Sequence, residues 1–367
     1  MIRDIHGRVV NYANLGDFTL GKELQAHVAE FKANKPFGSL KVFEETMHSA
    51  VLRVLDFLEK RYDARLLGLG MHPFLKLGGA KVWSHRDRQI YEALGRIFNL
   101  NQHGWLNIQS FQLNLSYANE SEAVRLYNAL TGVLPYLPAI ASSSPMYESR
   151  FGEFLDNRLY FYRINQREIP SLTGEIIPEH VSSFEEYEKT TIRRYSEDLA
   201  KVNAPKCILN KEWLNSRGAV FRFDRKAIEI RIMDEQECVK SDVALSCFIR
   251  ALLRGILRET EQQAPHQVLV ENLNAVIKDG LDAEVSDSKG STAKKVCRYL
   301  LEVAEKEASK EDRQYLRVVK KRIEEGNLSN IILRNATKKM QKTSIKEAMF
   351  SVYSALTKCL EENKVYT

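Results

Sequence analysis

Short runs of alternating apolar and polar positions, broken by Gly and Pro turns and by amphipathic helical spacing, fill residues 1–260, whereas residues 261–367 carry helical spacing almost throughout. The alternating runs predict strands over Phe18–Phe31, Ala64–Leu69, Leu106–Tyr117, Gly218–Asp224 and Ala227–Met233. Helical spacing predicts helices over Leu40–Tyr62, Trp83–Phe98, Glu120–Leu134, Ser183–Asn203 and Lys240–Glu259. Beyond residue 260 it continues over Gln267–Asp279, Ala293–Ala308, Lys310–Glu325 and Ile345–Glu362, with Gly-rich or polar joints between. The expected class is α+β: a mixed domain over 1–260 and an all-helical C-terminal subdomain over 261–367.

Within Ala227–Met233 the pattern is strict. Ile228, Ile230 and Ile232 share one face, and Glu229 and Arg231 share the other. Phe221 and Phe223 oppose Arg222 and Asp224 in the preceding run, so the two segments read as a hairpin turning at Asp224–Lys226. In Leu106–Tyr117, Ser110, Gln112 and Asn114 oppose Phe111, Leu113 and Leu115. Alternation alone allows a half-solvated sheet. It equally allows a sheet whose polar face binds a charged ligand, with carboxylates for metal ions and arginines for phosphate or carboxylate groups.

Charge and composition narrow the partners. The net charge of +6, from 54 Lys and Arg against 48 Asp and Glu, is mild; it suits phosphorylated ligands and gives no footprint for nucleic acid. The basic clusters Lys320–Arg322 and Lys338–Lys342 read as solvated helix faces. No apolar run is long enough to span a membrane, and Met1–Val10 lacks the blocks of a secretory signal. The five cysteines form no CxxC pair, which fits free thiols in a cytoplasmic protein rather than a zinc site.

Five segments occur in a telling order: Glu23 to Glu30; Gly70-Met71-His72-Pro73-Phe74; Gln109 to Asn114; Ser142-Ser143-Ser144-Pro145 followed by Arg150 and Asp156-Asn157-Arg158; and Trp213 with Arg217 and the run Ile228 to Asp234. Over roughly residues 18 to 260 they resemble the glutamate-cysteine ligase type 2 family. The resemblance implies a glutamine-synthetase-like fold, in which a curved, mostly antiparallel sheet forms a funnel with helices outside. It also implies chemistry in which ATP phosphorylates a glutamate-like carboxylate and an amine displaces phosphate from the acyl phosphate, with Mg ions holding the nucleotide.

By the same resemblance, Glu30 and Glu229 take the place of metal ligands, and Arg231, Arg217 and His72 that of catalytic groups. Arg150, Arg158, Gln112, Asn114 and Trp213 take ATP- or substrate-binding positions. Each has a structural alternative: an ion pair within the sheet for Arg231, a turn histidine for His72, a core ring for Trp213, and filler for Gln112 and Asn114. Glu23 alternatively caps a surface strand. A homodimer is the assembly that the family suggests.

The chain also departs from the family pattern. Ser110 and Gln112 stand where the family has histidines, and Phe31 and Lys32 alter the signature after Glu30. The family's opening Gly-X-Glu-X-Glu strand has no counterpart; residues 1–20 hold only Asp4 and Asp17 as acids. A start placed too late, a rearranged site using Glu235 or Glu237, and a noncatalytic relative are the three explanations. Three function classes therefore stay open: a ligase, a noncatalytic nucleotide-binding or assembly protein, and a phosphotransferase that stops after phosphoryl transfer.

Overall fold

Ile228, Ile230 and Ile232 are fully buried, as their alternation requires, on the middle strand of a three-stranded antiparallel sheet. The structure, a computed structural model, describes residue 6 and residues 8–209, 211–258 and 264–367. Asp4 and Glu259 lie outside the described residues. In chain order the strands are β1 (Tyr12–Asn14), β2 (Phe18–Lys22), β3 (Ala29–Ala33), β4 (Ser110–Ser116), β5 (Met146–Tyr147), β6 (Arg150–Phe151), β7 (Ala219–Arg222) and β8 (Ala227–Asp234).

The expected single curved sheet is divided. Strands β1-β2-β3 form one antiparallel sheet, β4-β8-β7 another, and β5-β6 a separate hairpin. In the central sheet Leu115 lies opposite Ile228 and Leu113 opposite Ile230, so both strands turn their apolar face the same way. The register shifts between Phe111 and Leu113. Strands β7 and β8 form the expected hairpin, turning through Phe223–Arg225 with Lys226 in the left-handed region at φ 48°.

Two strand expectations are corrected. Phe18–Phe31 is two strands, because the chain reverses where the Val28 N–H donates to the Gln25 carbonyl, and Lys22 then pairs with Ala29. The polar residues Glu23, Gln25 and His27 continue the alternation through that turn, so periodicity alone hides it. Ala64–Leu69 forms no strand; it runs tightly past the end of β8, where a Cβ at Gly68 would stand 2.4 Å from the Gln236 carbonyl oxygen.

Helix Leu40–Tyr62 appears with the expected bounds, capped by Ser39 at its start and closed by Asp63 in the left-handed conformation. Trp83–Phe98 shortens to Arg88–Gly95, and Ser183–Asn203 breaks into Phe184–Tyr187, a π turn at Glu188–Arg193, and Arg194–Lys201. The longest helix absent from the expectations is Leu328–Met340; its capping box is built from Asn327 and Asn330 rather than the usual Ser or Thr with Glu.

Helix Val239–Ile256 is buried along most of its length, Ser241, Asp242 and Ser246 included, and only Arg254 is exposed. It packs against helices Ala293–Glu307 and Arg313–Glu325, and one hydrophobic cluster joins Phe221 and Ile230 to Phe248, Leu252, Leu300 and Val319. Helices His266–Asp279, Ala293–Glu307 and Arg313–Glu325 thus share their core with the sheet, while Leu328–Met340 and most of Ile345–Glu362 pack in a separate cluster with Leu69 and Met146. Where Val239–Ile256 crosses Ala293–Glu307, a Cβ at Gly255 would stand 2.4 Å from Val303 Cγ1. Alanine is the better helix former by roughly 1 kcal/mol. The steric conflict outweighs that gain, and Gly255→Ala is expected to lower stability by about 1–3 kcal/mol. An unchanged or raised urea midpoint would contradict this packing.

Candidate active site

The end of β8 is a buried clasp. Arg158 Nε donates to Asp234 Oδ1 at 2.7 Å, Nη2 to the Ile232 carbonyl at 2.6 Å and Nη1 to the Arg231 carbonyl at 3.3 Å. The other Asp234 oxygen accepts from the Ser143 N–H at 2.8 Å, and Ser143 Oγ donates to the Glu235 carbonyl and accepts from the Gly70 N–H, both at 2.8 Å. Gly70 has to be glycine here: a Cβ would lie 2.4 Å from Asp234 Cγ. Asp156 caps helix Asn157–Ile164 through the Leu159 N–H, and its pKa is pushed well above the usual carboxylate range by burial and then by the Asp234 charge. Three separate sequence motifs therefore meet in one network, with Arg158 wholly engaged by protein.

On the polar face of β8, Glu229 is a hub. Its Oε1 accepts from Arg231 Nε at 2.5 Å, and its Oε2 accepts from Arg222 Nη1 at 2.8 Å and Arg225 Nη1 at 3.4 Å. Burial alone would raise its pKa, but the Arg231 and Arg222 charges overcome that and hold it below the usual value. Arg231 Nη1 also donates to the carbonyls of Trp213 and Asn215, at 3.1 and 2.7 Å. The Asn215 side chain accepts from the Arg217 N–H at 3.2 Å, which links Arg231 to Arg217. Arg217 is itself closed by a fork to Glu179, at 2.7 and 3.0 Å.

Neither Glu229 nor Arg231 faces bulk solvent; both are enclosed by the Arg222 and Arg225 side chains and the Trp213–Asn215 segment. The Arg231–Glu229 ion pair within the strand is present, and the Trp213 ring is more than a third exposed instead of core. On β4, Asn114 lies opposite Glu229, and both Asn114 and Gln112 are exposed; Gln112 makes a 3.4 Å bond to Ser110. Arg222, Arg225, Asn215 and Glu179 are additional members of this face. The alternation of β7 points to Arg222, but nothing local points to Glu179.

Glu30 lies on the other sheet, ion-paired with Lys32 and facing Glu23. Burial, and then the charge and hydrogen bond of Glu30, raise the Glu23 pKa to about 8. Glu235 is raised to about 7, chiefly by burial, with Asp234 and Glu30 adding to the rise. His72 is at the surface, fixed by its backbone N–H to Asn107 Oδ1 at 2.8 Å and by the Phe74 N–H to its own Nδ1 at 3.2 Å; desolvation lowers its pKa. Arg150 sits apart on the β5–β6 hairpin, stacked on the Tyr147 ring at 4.8 Å.

Oxygen donors such as Glu23, Glu30 and Glu229 suit magnesium chemically. The arrangement does not fit it as it stands: Lys32 neutralises Glu30, three guanidinium groups surround Glu229, and among the described residues no group of three or more His, Cys, Asp or Glu is placed to hold a metal.

Comparison with solved structures places the fold among glutamate-cysteine ligases. The enzyme of Francisella tularensis, solved in complex with AMP, superposes with a TM-score of 0.67 at 12% identity, over 93% of this chain and 82% of that one. The model of glutamate-cysteine ligase family 2 matches residues 3–352, and the chain belongs to that family. An uncharacterized protein of Archaeoglobus fulgidus is 47% identical over the whole of this chain and 93% of its own length. A putative glutamate-cysteine ligase 2 of Jannaschia sp. is 25% identical over 54% of this chain and 47% of its own.

The raised Glu23 pKa sets a pH window. The folded state binds the Glu23 proton more tightly than the unfolded chain, so that contribution to stability is complete below about pH 4.5 and is lost as pH rises toward about 8. Glu23→Gln removes the titration. The melting temperature of the variant minus that of the wild type should increase between pH 5 and pH 8; a difference flat across that range would show that Glu23 does not titrate there.

Proposed function

We propose that this protein is an ATP-dependent carboxylate-amine ligase acting on a small glutamate-like acid. On this reading a carboxylate oxygen of the acid attacks the γ-phosphorus of ATP and ADP leaves. The amine nitrogen then attacks the acyl carbon, phosphate leaves, and the amine gives up a proton. Both steps bring anions together, so the site must supply positive charge that is already in place.

The observation that carries the reading is the concentration of Arg222, Arg225 and Arg231 around Glu229 on one polar wall, flanked by the exposed amides Gln112 and Asn114. On this reading His72, whose pKa desolvation lowers, accepts the amine proton. ATP and magnesium are the cofactors on this reading; the described residues offer no preformed cage for the metal, so the arginines carry the argument. No described helix is long and apolar enough to cross a membrane, and a cytoplasmic location and a homodimer belong to the same proposal.

One observation favours a second reading. Arg158, Arg217 and Arg231 are each already paired with a protein carboxylate, which suits a noncatalytic nucleotide-binding relative. Measuring ADP release from ATP and Mg²⁺ over a panel of acids and amines separates these. A ligase sustains ADP release beyond one equivalent per site only with both acid and amine present, and Arg231→Met should slow it by about 100-fold or more. Sustained release with acid alone identifies a phosphotransferase. No release with any combination supports the noncatalytic relative and overturns the ligase.

A further inference from the structure

Three buried arginines are each closed by a carboxylate, and the carboxylates differ sharply in their access to water. The side chain of Asp234, on Arg158, is 0% exposed, and that of Glu229, on Arg231, is 2% exposed. Glu179, on Arg217, is 45% exposed. A ligand anion can replace Glu179 without opening the core, whereas replacing either of the others requires the sheet to come apart.

The Arg217 guanidinium keeps its orientation independently of Glu179. Its Nη1 donates to the Ser171 carbonyl at 3.1 Å and to Asn215 Oδ1 at 3.4 Å, leaving Nε and Nη2 as a fork aimed at the Glu179 oxygens. Such a planar two-donor fork matches the two oxygens of a carboxylate. Through Asn215 it adjoins the polar wall, because the Asn215 carbonyl accepts from Arg231.

The loop that delivers Glu179 is shaped around the same group and is strained. Gly174 has φ +55°, and a Cβ there would stand 2.9 Å from Arg217 Nη2. Ile176, buried and β-branched, has φ +67°, a left-handed conformation that such a residue resists. Its carbonyl accepts from the Gly218 N–H at 2.7 Å, which pins the loop to the start of β7. A loop held against its own backbone preference closes over Arg217, and its only fork-making contact there is the half-exposed Glu179.

We infer that the Arg217 fork is the seat of a ligand carboxylate, held in the unliganded protein by Glu179 as a stand-in that the ligand displaces. The seat deepens the ligase reading and rests on it for the identity of the ligand class, a small acid with a free carboxylate. Displacement also means that affinity for the acid is reduced by competition with a tethered side chain, so removing the competitor raises it.

The test is thermal unfolding and calorimetry of full-length wild type, Glu179→Ala and Glu179→Gln, with L-glutamate, inorganic phosphate or chloride at matched ionic strength. In Glu179→Ala, L-glutamate refills the empty fork and should raise the melting temperature by several degrees more than in wild type, with an affinity about tenfold higher. Glu179→Gln, which keeps the side-chain volume, should show the same gain in affinity if the alanine variant folds poorly. Equal responses to L-glutamate in wild type and both variants overturn the seat, and a gain for phosphate equal to that for L-glutamate overturns its assignment to a carboxylate. Titrating Mg-ATP into the same proteins keeps the two ideas apart: binding of Mg-ATP without glutamate selectivity sinks the seat alone, and glutamate selectivity without Mg-ATP binding leaves the seat and sinks the ligase.

Discussion

The fold around the site depends on one buried ion pair, Arg158 with Asp234. Neither side chain reaches water. Isolated charges in such a place would be costly, and the pair is tolerated because its hydrogen-bonding capacity is nearly filled, by the Ile232 and Arg231 carbonyls on one side and the Ser143 N–H on the other. In filling it, the pair fixes the distance between the helix that carries Arg158, the serine loop and the last residues of β8. The close passage of Gly70 past Asp234 follows from the same constraint.

From that clasp the polar wall follows. Arg158 holds the Arg231 and Ile232 carbonyls, so the direction in which the Arg231 side chain leaves β8 is set from behind. In front, Glu229, Asn215 and the Trp213 carbonyl hold the guanidinium. The arginines that chemistry would use are therefore divided by accessibility. Arg158 is structural, Arg231 is held in the wall, and Arg217 and Arg225 keep partners that reach solvent or are themselves half-exposed. On the proposed ligase reading, a wall fixed in this way holds its positive charge in place before a polyanion arrives.

How much of this the sequence reveals depends on the range of the interaction. Local signals are legible: Ser39 and Asp63 bracket helix Leu40–Tyr62, and strict alternation places Glu229 and Arg231 opposite three isoleucines. A turn built from strand-like residues is not, so Glu23 to Val28 reads as continuous strand, and a helix opened by two asparagines escapes notice. In the site, motif resemblance selects Arg158, Arg217 and Arg231; the partner of Arg231, Glu229, is two residues away on the same strand, but Arg217 meets Glu179 and Arg158 meets Asp234 only through the tertiary fold. Glu30 differs, since its counter-charge, Lys32, stands two residues away on the same strand.

The central claim is that the Arg158–Asp234 pair, as a mutually dependent unit, holds the site's frame together, and a double-mutant cycle in urea tests it most directly. Removing one charge strands the other, so Arg158→Met and Asp234→Leu should each cost about 3–5 kcal/mol, while the double variant should cost markedly less than the sum of the two. Single losses below about 1 kcal/mol, or losses that simply add in the double variant, would contradict it.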